Sequence, residues 1–226
     1  MIDIFINSGL DKGAIVTLLL LPIVVTLIAF SRHILGIRSL GIYLSFVITF
    51  IFFQLGVTSN DLSYYSDPLI GFKFGLPLII IVFSATLLCY VLIKKIGLHY
   101  YPKLAIVATG VTAILIGVTM IFGLLGFKNF LKIDIFTLVL IVAITEKYFS
   151  ILARKNLKTT IFITIESIIL AGISYLIISI HPLIDLLLQY PYIILILFPI
   201  NYLIGKFTGL RLSEYLRFWD ILTEKN

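Results

Sequence analysis

The residues with most capacity for chemistry in this chain are carboxylates set where a carboxylate is expensive. Glu146 lies in F-T-L-V-L-I-V-A-I-T-E-K-Y-F-S, and Glu166 lies in T-T-I-F-I-T-I-E-S-I-I-L, both otherwise apolar or weakly polar. Inside a bilayer an ionised carboxylate in such a run costs ~3 kcal/mol or more unless it is paired or hydrated. Two arrangements meet that cost. One is a proton- or ion-linked path through a helix bundle. The other is a layer of ion pairs that locks helix ends together, with Arg32, Arg38 and Arg211 as cations and Glu214 and Arg217 continuing the layer. The ion-pair layer is the favoured reading, because Lys147 follows Glu146 directly and brings that carboxylate towards water.

Other chemistry finds little support. The sequence has no G-x-S-x-G, no H-E-x-x-H, no Walker loop and no paired acids in a catalytic context, so no catalytic residue and no cofactor are assigned. His33, His99 and His181 flank different apolar runs, which does not make a metal site. Cys89 is the single cysteine, so no disulfide forms within the chain. Asp61, Tyr64, Tyr65 and Asp67 read either as a ligand-binding loop or, preferably, as an interfacial aromatic belt. The formal charge of +6 is spread over loops rather than gathered on one face, which excludes a nucleic-acid footprint.

The elements that must position these residues are membrane helices. Of 226 residues, 61% are hydrophobic and 12% charged. Mean hydropathy is +1.17. A soluble domain carries about 25% charged residues, so this chain cannot cover itself with a polar surface. The apolar runs are continuous rather than alternating, which excludes a barrel and predicts an all-α membrane protein, a single polytopic domain over residues 1–226 with the lipid bilayer as its first partner.

Spans are expected at Ala14–Phe30, Leu40–Leu55, Leu76–Ile93, Leu104–Leu125, Ile133–Ser150, Thr160–Ile180 and Pro191–Gly205, giving a seven-helix bundle. If the short Leu40–Leu55 stretch is re-entrant, six remain. Val57–Lys73 reads as the longest polar connection, without a helical pattern, extracytoplasmic and the most mobile loop. Leu183–Tyr190 reads as a short amphipathic connection, and Ala105, Thr109, Ala113 and Gly117 as a small-residue packing ridge. After Gly205 comes an amphipathic C-terminal cytosolic segment, with Arg211, Glu214 and Arg217 along one flank and Leu210, Leu212, Tyr215, Leu216 and Phe218 supplying apolar surface.

Seven spans divide the Lys and Arg residues four against thirteen, which sets the N-terminus outside and the C-terminus in the cytosol of a multi-pass cell-membrane protein. Six spans divide them five against twelve and move the N-terminus inside. Residues 1–13 lack a basic leader, so no cleaved signal peptide is expected.

Several stretches resemble one bacterial and archaeal family, the seven-helix membrane domain that usually follows an inactive transglutaminase-like domain. L-P-I-V-V-T-L-I-A-F-S-R-H-I-L-G-I-R-S-L-G resembles its first helix and following turn, the latter carried by Arg38, Ser39 and Gly41. P-K-L-A-I-V-A-T-G-V resembles the start of its fourth helix, and the stretch around Glu146 its fifth. There Lys147 stands where the family has an Arg, which removes a bidentate cation. G-K-F-T-G-L-R-L-S-E-Y-L-R-F is the most specific match, through Gly209, Arg211, Glu214, Arg217 and Phe218. The resemblance implies a membrane component working beside ATP-grasp, glutamate-ligase-like enzymes and a retropepsin-like protease in peptide modification. It supplies no catalytic residues, and sensing assigned to the transglutaminase-like domain would come from an extracytoplasmic partner or be absent here.

Two functions are therefore expected to compete. The first is a non-catalytic scaffold or receptor that recruits cytosolic, ATP-grasp ligase-like partners through its basic face. The alternative is a transporter or exporter of a small or peptide-like solute, suggested by Glu166 and by Pro199 and Asn201 in the last span. An intramembrane enzyme is a weaker third reading, since no acid–base or nucleophile pairing can be read from spacing.

Overall fold

The computed structural model describes residues 12–36, 41–60, 63–124 and 134–207, and among them it is almost wholly helical. In chain order the helices are α1 (Lys12–Phe30), α2 (Ile42–Gly56), α3 (Pro68–Ile93), α4 (Tyr100–Leu124), α5 (Ile135–Arg154), α6 (Leu157–Ile178), α7 (His181–Gln189) and α8 (Leu197–Lys206). A π-helical turn, Ser31–Leu35, extends α1, and a 3₁₀ turn, Pro191–Ile196, leads into α8. Two short strands, β1 (Val57–Asn60) and β2 (Ser63–Ser66), pair between α2 and α3. Among the described residues five stretches are long and apolar enough to cross a membrane: Gly13–Leu35, α3, α4, α5 and α6. Helix α7 and the segment Pro191–Lys206 form one further apolar pair, bent by 102°.

Local chemistry sets most of these boundaries. Gly36, at φ 77°, takes the left-handed conformation that ends the π turn, which a side chain would resist. The Asp67 carboxylate accepts from Leu69 N at 3.0 Å, and Pro68 needs no N–H partner at the first helical position. Helix α3 therefore starts at Pro68. The polar connection expected to run to Lys73 without regular structure is shorter than that, and β1 and β2 lie within it. Asp134 starts α5 in a similar way, accepting from Ile135 N at 2.8 Å.

Helix α2 is short for a span at 15 residues. Yet from Leu44 to Phe53 every residue except Phe46 is buried. A helix apolar all round and covered all round packs against protein rather than lipid, so the length rule for a lipid-facing span does not govern it.

The chain divides into two compact units. Unit 2 covers Val47–Thr58 and Ser66–Thr164. In it α3, α4 and α5 pack on one another. Its core is Val82 and Phe83 of α3, Val107 and Val111 of α4, and Ile144, Tyr148 and Phe149 of α5. Rings join across the helices: Phe83 to Tyr148 at 4.6 Å, Tyr90 to Phe149 at 5.8 Å and Tyr100 to Phe149 at 5.4 Å between centroids. Helix α4 comes close to α3 at Gly110, where an added Cβ would lie 2.6 Å from Cys89 Sγ. The small-residue ridge expected on α4 as a packing face is not the surface used in this contact. Ala105, Thr109 and Ala113 are exposed, and a Cβ added at Gly117 would meet nothing within 4 Å, because the buried stripe of α4 is Val107, Val111 and Leu115.

Unit 1 covers Met1–Phe46, Ser59–Tyr65 and Ile165–Asn226. Helix α1 is its axis, and α7, the 3₁₀ turn and α8 pack along it. Val16, Leu19 and Leu20, early in α1, share a small apolar void with Ile184, Leu187 and Leu188 of α7. Thr26, further along, bonds Asn201 of α8. His33, at the far end, bonds the Phe207 carbonyl. The segment from α7 to Phe207 thus follows α1 from one end to the other, in the same direction. The expected amphipathic connection is helix α7, with Ile184 and Leu187 turned inward at i, i+3 spacing.

Candidate functional site

Polar groups inside unit 1 come together along the α1 seam. Thr26 is 7% exposed, and its hydroxyl donates to the Pro22 carbonyl at 2.8 Å, four residues back on α1. The same oxygen accepts from Asn201 Nδ2 at 2.9 Å. Thr26 thereby completes a relay from α8 to the α1 backbone, at the proline that interrupts the α1 ladder. His33 Nε2 donates to Phe207 O at 3.2 Å, which fastens the π turn to the end of α8. At the opposite end Tyr65 Oη donates to Asp185 Oδ1, and its ring lies 4.6 Å from that of His181. The hydrogen bond to Asp185 raises the Tyr65 pKa above its ordinary value of 10.0, with burial and the Asp185 charge acting in the same direction.

These contacts place residues that the sequence singled out. Asn201, offered as a transport-path residue, holds α8 to α1. Tyr65, offered as ligand loop or belt, ties the hairpin to α7, while Asp67 of the same stretch caps α3. Asp185 and His181 as partners of Tyr65, and Thr26 as partner of Asn201, went unread. Each partnership spans more than a hundred residues of sequence, and no local pattern announces it.

The carboxylates differ from each other. Glu166, about 13 Å into α6 from Leu157, is half-buried, and its Oε2 is enclosed without a hydrogen-bond partner. An enclosed acceptor without a donor is costly, and Glu166 carries that cost within unit 1. Glu146 and Lys147 are both exposed on α5, between the buried Thr145 and Tyr148. Helix α5 runs on to Arg154, which sets Glu146 about 12 Å from the helix end. Arg32 is exposed on the π turn. Among the described residues of unit 1 no ion pair joins Arg32 and Glu166. Arg38, Arg211, Glu214 and Arg217, the other members of the expected layer, lie outside the described residues, as does the amphipathic C-terminal segment.

A family model described as 7 transmembrane helices usually fused to an inactive transglutaminase matches residues 10–222. No curated protein and no solved structure matches the chain.

Proposed function

Because the chain belongs to the family of seven-transmembrane-helix domains usually fused to an inactive transglutaminase, we propose that it is a non-catalytic multi-pass scaffold or receptor in the cell membrane, recruiting a cytosolic peptide-modifying, ATP-grasp ligase-like partner. The observation that carries this reading is the engagement of the unit 1 polar groups in locks between elements. Asn201 is bound to Thr26, His33 to the Phe207 carbonyl and Tyr65 to Asp185. A rocking transporter needs polar groups free to meet a solute in turn, whereas these groups hold one arrangement.

In this reading the chain crosses seven times. Helix α1 and the segment ending at Phe207 run in the same direction, and two parallel crossings require an odd number between them. Helices α3 to α6 supply four. The fifth is α2, leading from the His33 end of α1 to the hairpin, whose Tyr65 meets α7 beside the opposite end. The thirteen-cation side then faces the cytosol, with the N-terminus outside and the C-terminus inside.

A transporter or exporter is the second reading, favoured by the enclosed Glu166 Oε2. Proteoliposomes separate the two. The scaffold reading expects no solute-dependent flux, together with saturable binding of a purified ATP-grasp partner to the protein in nanodiscs. Flux that disappears in Glu166→Gln, with melting unchanged, would instead establish the path.

A further inference from the structure

At one end of unit 2 the last turn of α3, the start of α4 and the α5–α6 junction surround two adjoining cavities of about 280 and 670 Å³. Lys94 and Tyr90 line both. The smaller adds Lys103, Tyr100 and Phe149, with Ile93 and Leu98 as an apolar wall. The larger adds Arg154, Lys155 and Lys158. Five cations therefore converge, and among the described residues no Asp or Glu lines either cavity. Leu157–Thr159, which open the 22-residue α6, line the larger cavity too, so the positive end of that helix adds to the field. We propose that these cavities form a binding site for an anionic phospholipid, its headgroup among the lysines and its acyl chains leaving along Leu98 and the exposed side of α4.

Three observations choose an amphiphile over a free anion. The smaller cavity has rings and aliphatic side chains on one side and ammonium groups on the other, which a small soluble anion would leave half unused. It sits where the apolar run of α3 ends at Ile93 and Lys94 begins, a step from hydrocarbon to headgroup depth. Beside it Ile96, Leu98 and Tyr101 are exposed, at 48%, 40% and 79%, and offer surface to acyl chains. Basic pockets between transmembrane helices suit anionic headgroups by this combination of charge and position. Five cations with no carboxylate among the described lining residues also repel one another, and a bound phosphodiester relieves that repulsion. The site does not depend on the scaffold reading, since it needs no protein partner and no particular membrane orientation.

The test is native mass spectrometry of the detergent-purified protein titrated with dioleoyl phosphatidylglycerol or dioleoyl phosphatidylcholine. The wild type is expected to retain the first in preference to the second. Lys94→Gln/Lys103→Gln should weaken phosphatidylglycerol retention about thirtyfold, at roughly a factor of five for each lysine. Lys206→Gln, an exposed cation of unit 1, should leave it unchanged. Equal retention of the two lipids, or a double variant that binds like wild type, overturns the proposal. Inorganic phosphate that displaces the lipid better than chloride at matched ionic strength also overturns it, in favour of a soluble anion. If the double variant melts early, Lys94→Arg/Lys103→Arg replaces it and should retain phosphatidylglycerol like wild type; loss there overturns the site as well.

Discussion

In unit 1 side chains far apart in sequence meet through hydrogen bonds: Asn201 with Thr26, His33 with the Phe207 carbonyl, Tyr65 with Asp185. In unit 2 the helices meet through rings and close backbone approach, with Phe149 touching both Tyr90 and Tyr100, Phe83 lying on Tyr148, and Gly110 against Cys89. Polar side-chain contacts occur there too: Ser66 donates to the Phe53 carbonyl at 2.9 Å, and Gln54 meets Asp134 on the exposed side at 3.4 Å. The difference matters in a bilayer, where lipid tails are as apolar as leucine and no hydrophobic drive brings helices together. Dense packing must then supply most of the association energy, while hydrogen bonds mainly fix which turn faces which. Unit 2 is built for the first task. Unit 1, in which the apolar segment from α7 to α8 is interrupted by a 3₁₀ turn and a 102° bend, depends more on the second.

The most severe break of this contrast is Phe149→Ala. Phe149 is 2% exposed and joins α5 to both α3 and α4. Truncating a buried ring costs about 3–5 kcal/mol, through lost contacts and the cavity left behind. Equilibrium unfolding in mild detergent should register that loss, and a loss no greater than that of a unit 1 polar variant would remove the contrast.

Asn201→Leu should cost less. Hydrogen bonds between membrane helices average about 0.6 kcal/mol and reach about 1.7, because the dissociated helices also find partners. A double-mutant cycle with Thr26→Val isolates the pair, and a coupling energy within that range is the expected result. A coupling near zero would mean that α8 is placed by packing alone.

How legible these features were in sequence follows the same division. Continuous apolar runs made the helices readable to within a few residues, as for Leu104–Leu125 against α4 at Tyr100–Leu124. The start of α3 was legible but passed over: Asp67-Pro68 is a cap followed by a first-turn proline, and the surrounding polar residues obscured it. Pro191 likewise marks where α7 gives way to a 3₁₀ turn. The ridge on α4 misled because four-residue spacing identifies a face without saying what covers it. The polar locks were beyond reach, since Thr26 and Asn201 are separated by 175 positions and only the fold brings them together. Glu166 could be singled out from its apolar surroundings, whereas the absence of a donor for its Oε2 could not.

The smallest expected effect sharpens the contrast at the hairpin. Tyr65 stands outside the spans, bonded to Asp185 and stacked beside His181. Its pKa is raised, first because its proton makes the bond to Asp185, then through burial and the adjoining negative charge. A group whose folded pKa lies above the unfolded value of 10.0 stabilises fully below that value, and its contribution is lost as pH rises through the folded pKa. The link between hairpin and α7 should therefore hold throughout neutral pH and release only in alkali, beyond the usual tyrosine range. Tyrosine ¹³Cζ resonances, with Tyr65 assigned through Tyr65→Phe, report the titration directly. In Asp185→Asn the Tyr65 midpoint should fall back towards the ordinary value of about 10, while global unfolding changes less than in Asn201→Leu. An unchanged midpoint would mean that Asp185 does not hold the phenol, and unit 1 would lose the polar lock at that end.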